Sequence, residues 1–148
     1  MKRKLLSLFL VTCCLVSASA CNAQDSVSAS FTESVKKAGV EKTADDMVAI
    51  RVLKVDGEEN LMSVMEELQT DGLMNFTVQA GMVTSINGKA NPADFSSCWM
   101  LYTSDAEMSN SAWGEIDYNG EKLGSAVLGA DILPVVEGEV YVWYYQSF

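Results

Sequence analysis

Apolar and polar residues alternate through residues 47–55, MVAIRVLKV. Val48, Ile50 and Val52 fall on one side of an extended chain, and Met47, Ala49, Arg51 and Leu53 on the other, which predicts a strand of high β propensity. Asp56-Gly57 ends it. Leu61, Val64, Met65 and Leu68 then recur at helical spacing among Glu58, Glu59, Glu66 and Glu67. This predicts an amphipathic helix, capped by Asn60 or an acid just ahead of it and stopped by Gly72 after Asp71. Its methionines read as core filler.

The pattern shortens afterwards. Residues 73–80 and Met82–Ile86 read as extended pieces separated by a bend at Gly81, and Asn87-Gly88 carries the signal of a type I′ turn. Residues 90–95 form a loop with Pro92, and 98–103 an aromatic strand. Residues 104–118 read as a polar excursion containing Trp113, closed by a turn at Asn119-Gly120. Residues 122–133 read as irregular. Pro134 and Glu137-Gly138 lead into a last strand, VYVWYY at 140–145, which has no polar face and therefore belongs at the centre of a sheet or under cover on both sides. Ten of the thirteen aromatics lie from residue 95 to 148, so the second half holds most of the packing volume and the helix is expected to pack on its sheet. Residues 45–148 suffice for a stable core by the size scaling of domains. The expected class is α+β, a mostly antiparallel or mixed sheet with one packed helix.

The N-terminus changes the picture of where this domain works. Lys2, Arg3 and Lys4 precede an apolar run at 5–16, too short for a membrane span, and Ala18-Ser19-Ala20 follows. This is an export signal over residues 1–20. Cys21 comes directly after the small residues, in the manner of a bacterial lipobox, and two acyl chains there would hold the protein stably at the membrane. Ordinary cleavage after Ala20, releasing a soluble protein, is the other reading. Residues 21–44 are rich in Ser, Ala, Thr and Lys and read as a tether, with a nascent helix at 32–38. The expected location is the outer surface of a bacterial membrane, reached through a lipid on Cys21.

Export also alters the cysteine and charge arithmetic. Cys13 and Cys14 leave with the signal, and lipidation of Cys21 leaves Cys98 alone, so no disulfide framework is expected; a free Cys21 would instead permit a Cys21–Cys98 bridge. Removal of the signal leaves seven basic residues against twenty acids, and 45–148 holds four against seventeen. Such a surface repels phosphate backbones, so nucleic acid is not an expected partner. It also suits an exported protein that must stay in solution.

Candidate chemistry is sparse. The chain has no histidine, which removes the commonest general base, His-activated nucleophiles and His-ligated metal sites. Cys98, in an apolar strand with no cation or base beside it, reads as an inert buried thiol. Asp56-Gly57-Glu58-Glu59-Asn60 lacks the spacing of a calcium loop, and no phosphate-binding glycine loop is present. The acids fall in no catalytic motif, and no enzyme activity, cofactor or metal is expected. Trp113, flanked by small and polar residues, either folds back over the sheet edge or contacts a ligand or partner.

Four segments in order carry a family resemblance: Gly81-Met82-Val83-Thr84-Ser85-Ile86-Asn87-Gly88, Cys98-Trp99-Met100-Leu101-Tyr102, Val127-Leu128-Gly129, and Glu137-Gly138-Glu139 through Tyr145. Together they resemble the transcobalamin-like C-terminal domain family over nearly all of 45–148. The resemblance implies a small β-grasp-like α+β domain of the kind borne by bacterial surface lipoproteins. In the animal cobalamin carriers the related domain closes over one face of a corrinoid. Carried over, the ligand-facing residues are Trp99 and Val127-Leu128-Gly129, with Trp113 as a further candidate in the excursion. Two functions follow as expectations. One is a membrane-anchored module binding a corrinoid or another flat, partly apolar small molecule. The other is an adhesion or assembly module binding a surface protein or glycan.

Overall fold

The apolar last strand sits in the middle of the main sheet. In a computed structural model that describes residues 36–148, nine strands and one helix follow one another as β1 (Ala38–Ala44), β2 (Met47–Val52), α1 (Leu61–Thr70), β3 (Phe76–Gln79), β4 (Met82–Ile86), β5 (Lys89–Ala90), β6 (Ser97–Thr103), β7 (Ser109–Tyr118), β8 (Glu121–Ala126) and β9 (Val140–Ser147). Six strands form one sheet in the order β1-β2-β9-β6-β8-β7, and β3-β4-β5 form a small second sheet. Every strand pairing is antiparallel. The expected α+β class therefore holds at that level: a mostly antiparallel sheet domain with a single short helix.

Strand β9 is covered on both faces, as its lack of polar positions demands. Tyr141 and Trp143 join Val48, Ile50 and Val52 of β2 in the larger core, against Leu61, Val64, Met65 and Leu68 of the helix. Val140 and Val142 point the other way, into a second core with Ala49, Tyr102, Tyr118 and Leu123. β7 and β8 supply Tyr118 and Leu123 to this second core. Gly124 sits opposite the register break of β7, where a Cβ would lie 3.1 Å from the Ser111 backbone nitrogen.

Helix α1 forms where its spacing predicts. The Asn60 side chain accepts from Ser63 N at 3.0 Å, and the Ser63 hydroxyl donates back to Asn60 O at 2.8 Å. The next orphan amides of the helix are met from outside it: Leu61 N donates to Leu133 O at 2.9 Å and Met62 N to Ala130 O at 2.8 Å. Unpaired N-terminal amides of a helix need such partners, and here they pin residues 130–135 in place. Tyr141, whose phenol burial pushes up to about 12, receives Val136 N at 3.0 Å and donates to Pro134 O at 3.3 Å.

Three sequence expectations are corrected. Residues 38–44 are not tether but strand β1, paired with β2 along its length. The polar excursion expected at 104–118 contains a regular element, since 109–118 form β7. Residues 122–126, part of the stretch 122–133 expected to be irregular, belong to β8. β1 and β7 are edge strands and β8 lies next to one, and their small and polar residues give no clear alternating signal. The export signal, Cys21 and most of the tether and its nascent helix lie outside the described residues. Among the described residues no helix is long and apolar enough to cross a membrane.

Candidate functional site

A cleft of about 230 Å³ opens on the helix-bearing side of the sheet. Its floor is β6 and β9, through Trp99, Leu101 and Trp143. One wall is the start of β4 with the turn before it, Gly81 to Val83. A second is the loop that holds Asn91 and Phe95, and a third is Leu128, Gly129 and Ala130. Cys98 and Met100 also border it from β6, although Met100 packs into the core on the sheet's other face. Among the described residues no charged side chain lines the cleft, in a domain dense with acids.

Each wall is fixed locally. Ala80 and Gly81 both take positive φ, 52° and 81°, which is the hairpin turn between β3 and β4. Asn91 ties that hairpin to the sheet. Its backbone N donates to Thr84 O at 2.8 Å, its Nδ2 to Val83 O at 3.3 Å, and its Oδ1 accepts from Trp99 N at 3.1 Å. The Phe95 loop closes on itself. Phe95 N donates to Pro92 O at 3.0 Å, and Asp94 Oδ1 accepts from both Ser96 N and Ser96 Oγ, at 3.1 and 2.9 Å. Those bonds hold the Asp94 carboxyl below the ordinary aspartate value. The third wall is set by Gly129 O, which accepts from Ile132 N and Leu133 N at 3.1 and 2.8 Å, just before the segment that caps the helix.

Trp99 is a structural residue and a wall at once. It is 5% exposed. Its indole donates to Lys89 O at 2.8 Å, and its ring meets Tyr145 edge-on at 5.3 Å between centroids. Lys89 Nζ lies 4.1 Å over the Tyr145 ring, and Tyr145 OH donates to Ala90 O at 3.1 Å. Strand β5 is thus sewn to the main sheet through these two aromatics.

Of the five ligand-facing residues expected from sequence, the structure brings Trp99, Leu128 and Gly129 to the cleft. Val127 is half-buried beside it, its amide donated to Met108 O at 3.0 Å, and does not line the cleft. Trp113 sits on the edge strand β7, two places from β6 in the sheet order. It is 64% exposed, where β7 breaks register with β8 between Asn110 and Glu115, so it is not folded into the core. Met82 and Phe95, 54% and 55% exposed, border the cleft and were not expected. The available signals were an apolar residue directly after the turn glycine and an aromatic in a loop of small polar residues. Asn91 and Trp143 were likewise unmarked.

Chemically the cleft offers apolar surface and few free polar groups. The Cys98 thiol is half-buried, donates to Met100 Sδ at 3.6 Å, and is pushed up by burial, the opposite of an activated nucleophile. Among the described residues no group of three or more His, Cys, Asp or Glu could hold a metal ion. Comparison with protein-family models, curated proteins and solved structures finds no match for the chain.

Proposed function

We propose that the chain is an exported, lipid-anchored binding module that receives an apolar part of a flat small molecule in the cleft between Trp99, Phe95, Met82 and Leu128. A corrinoid is the first candidate, because the transcobalamin-like resemblance names it and three of the residues it assigns converge there. The single observation that carries the reading is an uncharged, aromatic-floored cleft with exposed apolar residues at its border, on a surface otherwise rich in acids. Binding sites for small molecules are concave and mostly apolar, with few convergent polar groups, although they commonly enclose roughly 300–1,000 Å³. At about 230 Å³ this cleft would take an edge or substituent of a corrinoid, the rest lying across the border. The reading includes a β-grasp-like domain, with α1 packed on the sheet, and no catalytic step: the lining holds no carboxylate, amine or imidazole.

Calorimetric titration of the full mature chain with cyanocobalamin tests it. The expected result is saturable heat that Phe95→Asp and Met82→Asp abolish while the unfolding midpoint barely moves, both positions being exposed. Absence of saturable heat up to high micromolar concentration would reject the corrinoid. A second reading, adhesion to a surface protein or glycan, is favoured by one separate observation, the exposed Trp113 on an edge strand. Trp113→Ala would then weaken attachment and leave the titration unchanged.

A further inference from the structure

The hairpin of β7 and β8 has few ties to the rest of the domain. Strand β8 pairs with β6 at Tyr102↔Ser125 and Thr103↔Gly124, whereas β6 and β9 pair from Ser97↔Ser147 to Thr103↔Tyr141. Residues 115–118 and 121–123 pair only within the hairpin, and Lys122 lies 3.7 and 3.8 Å from its own neighbours Glu115 and Asp117. At the root, residues 111–114 have no partner in β8. Among the described residues, one side-chain hydrogen bond leaves residues 109–126: Tyr118 donates to Glu41 Oε2 of β1 at 2.9 Å. Glu41 stands at the bulge between Val40 and Lys42. Arg51 Nε donates to its other oxygen, and Arg51 Nη1 donates to Gly138 O at 2.8 Å. The acceptor is thus held from the β2 side, and the hairpin tip comes to it. The other hold is apolar: Tyr118 and Leu123 are buried with Ala49, Tyr102, Val140 and Val142.

We propose that the β7–β8 hairpin is a flap, hinged between the 111–114 break and the short β6 junction and latched at its tip by Glu41, which opens as a unit while β2, β9 and α1 stay folded. Segments with few buried apolar contacts and few bonds to their neighbours open at a lower free energy than the whole. The larger core does not depend on the hairpin. Tyr141, Trp143 and the helix build it on the other face of the sheet, and no residue of 109–125 belongs to it. Opening bares Ala49, Val140 and Val142, an apolar face that the closed domain hides. One carboxylate between two edge strands therefore governs whether that face is covered. The second core lies on the face opposite the cleft, so the flap does not rest on what the cleft binds.

Native-state hydrogen exchange of the full chain tests this, followed by NMR as urea is raised through low concentrations. The protected amides of residues 115–118 and 121–123 should exchange through one shared opening. That opening should be faster than exchange in β2 and β9 and depend less on urea, since the slope follows the surface exposed. Tyr118→Phe removes the latch and keeps the ring. It should speed the flap amides about tenfold or more, the worth of a hydrogen bond to a charged group. Val64→Ala, on the helix face of the larger core, should speed exchange in β2 and β9 and leave the flap amides as they were, because that core is intact in the closed and the open state alike. If either variant does not fold, the urea dependence of the unaltered chain decides. Equal urea dependence for flap and β9, flap amides that speed up with Val64→Ala, or flap amides indifferent to Tyr118→Phe would overturn the proposal.

Discussion

Phe95 holds φ at 52°, a left-handed backbone that costs an ordinary residue roughly 1–2 kcal/mol. Local strain of this kind is retained where the surroundings impose it, and it often accompanies binding. Here the Asp94–Ser96 and Phe95–Pro92 bonds impose it and keep the phenyl at the border of the cleft. Phe95→Gly relieves the strain against roughly 0.4–1 kcal/mol of added unfolded-state entropy. Denaturant unfolding should therefore show unchanged or slightly raised stability, while ligand affinity falls. Trp99 requires the opposite design. Trp99→Ala removes a buried ring and should cost about 3–5 kcal/mol, so loss of binding in that variant would say nothing about contact. Trp99→Phe keeps a ring and loses the bond to Lys89 O, at about 1 kcal/mol. It should stay folded in urea titrations and report on the wall alone.

At the scale of elements, one cluster links strands that are far apart in the sheet order. Arg51 on β2 pairs with Glu41 on β1, and Tyr118 at the end of β7 donates to the same Glu41 carboxylate at 2.9 Å. Edge meets edge through Glu41, which draws the sheet around its second core. The hydrogen bond from Arg51, and then that from Tyr118, hold the Glu41 carboxyl below its ordinary value of 4.5. A lowered folded-state value means a contribution present above pH 4.5 and lost as the pH falls through the folded value. The acid limb of a pH–stability curve should be steeper in the native chain than in Glu41→Gln, measured as thermal midpoints from pH 6 downward. Elements with a strong local signal were legible in the sequence. Alternation marked β2, helical spacing and Asn60 marked α1, paired positive-φ residues marked the Asn87-Gly88 and Asn119-Gly120 turns, and unbroken apolarity marked β9. Strands β1, β7 and β8 were not, because AGVEKTA, SNSAWGEIDY and EKLGSA are rich in small and polar residues with weak β preference and are held extended by hairpin pairing with β2 and with each other. The site was legible only in part. Trp99, Leu128 and Gly129 came through the family resemblance, but Met82, Phe95 and Trp143 meet them only after the small sheet docks on the large one.

For the whole molecule, the acids and the cleft divide the surface into two kinds. Seventeen acids against four basic residues over 45–148 keep the domain in solution and away from anionic headgroups, while the cleft is free of charge. A lipid on Cys21 would hold such a domain near the membrane without pressing it against the bilayer, leaving the cleft open to the medium. The proposal stands or falls on whether that cleft is where a ligand goes. The most direct test follows backbone amide shifts of the full chain by NMR as cyanocobalamin is added. The account predicts saturable shifts gathered at Met82, Val83, Phe95, Trp99, Leu101 and Leu128 to Ala130, with Trp113 unmoved. Saturable shifts gathered around Trp113 on β7, or no saturable shift at any residue, would contradict it.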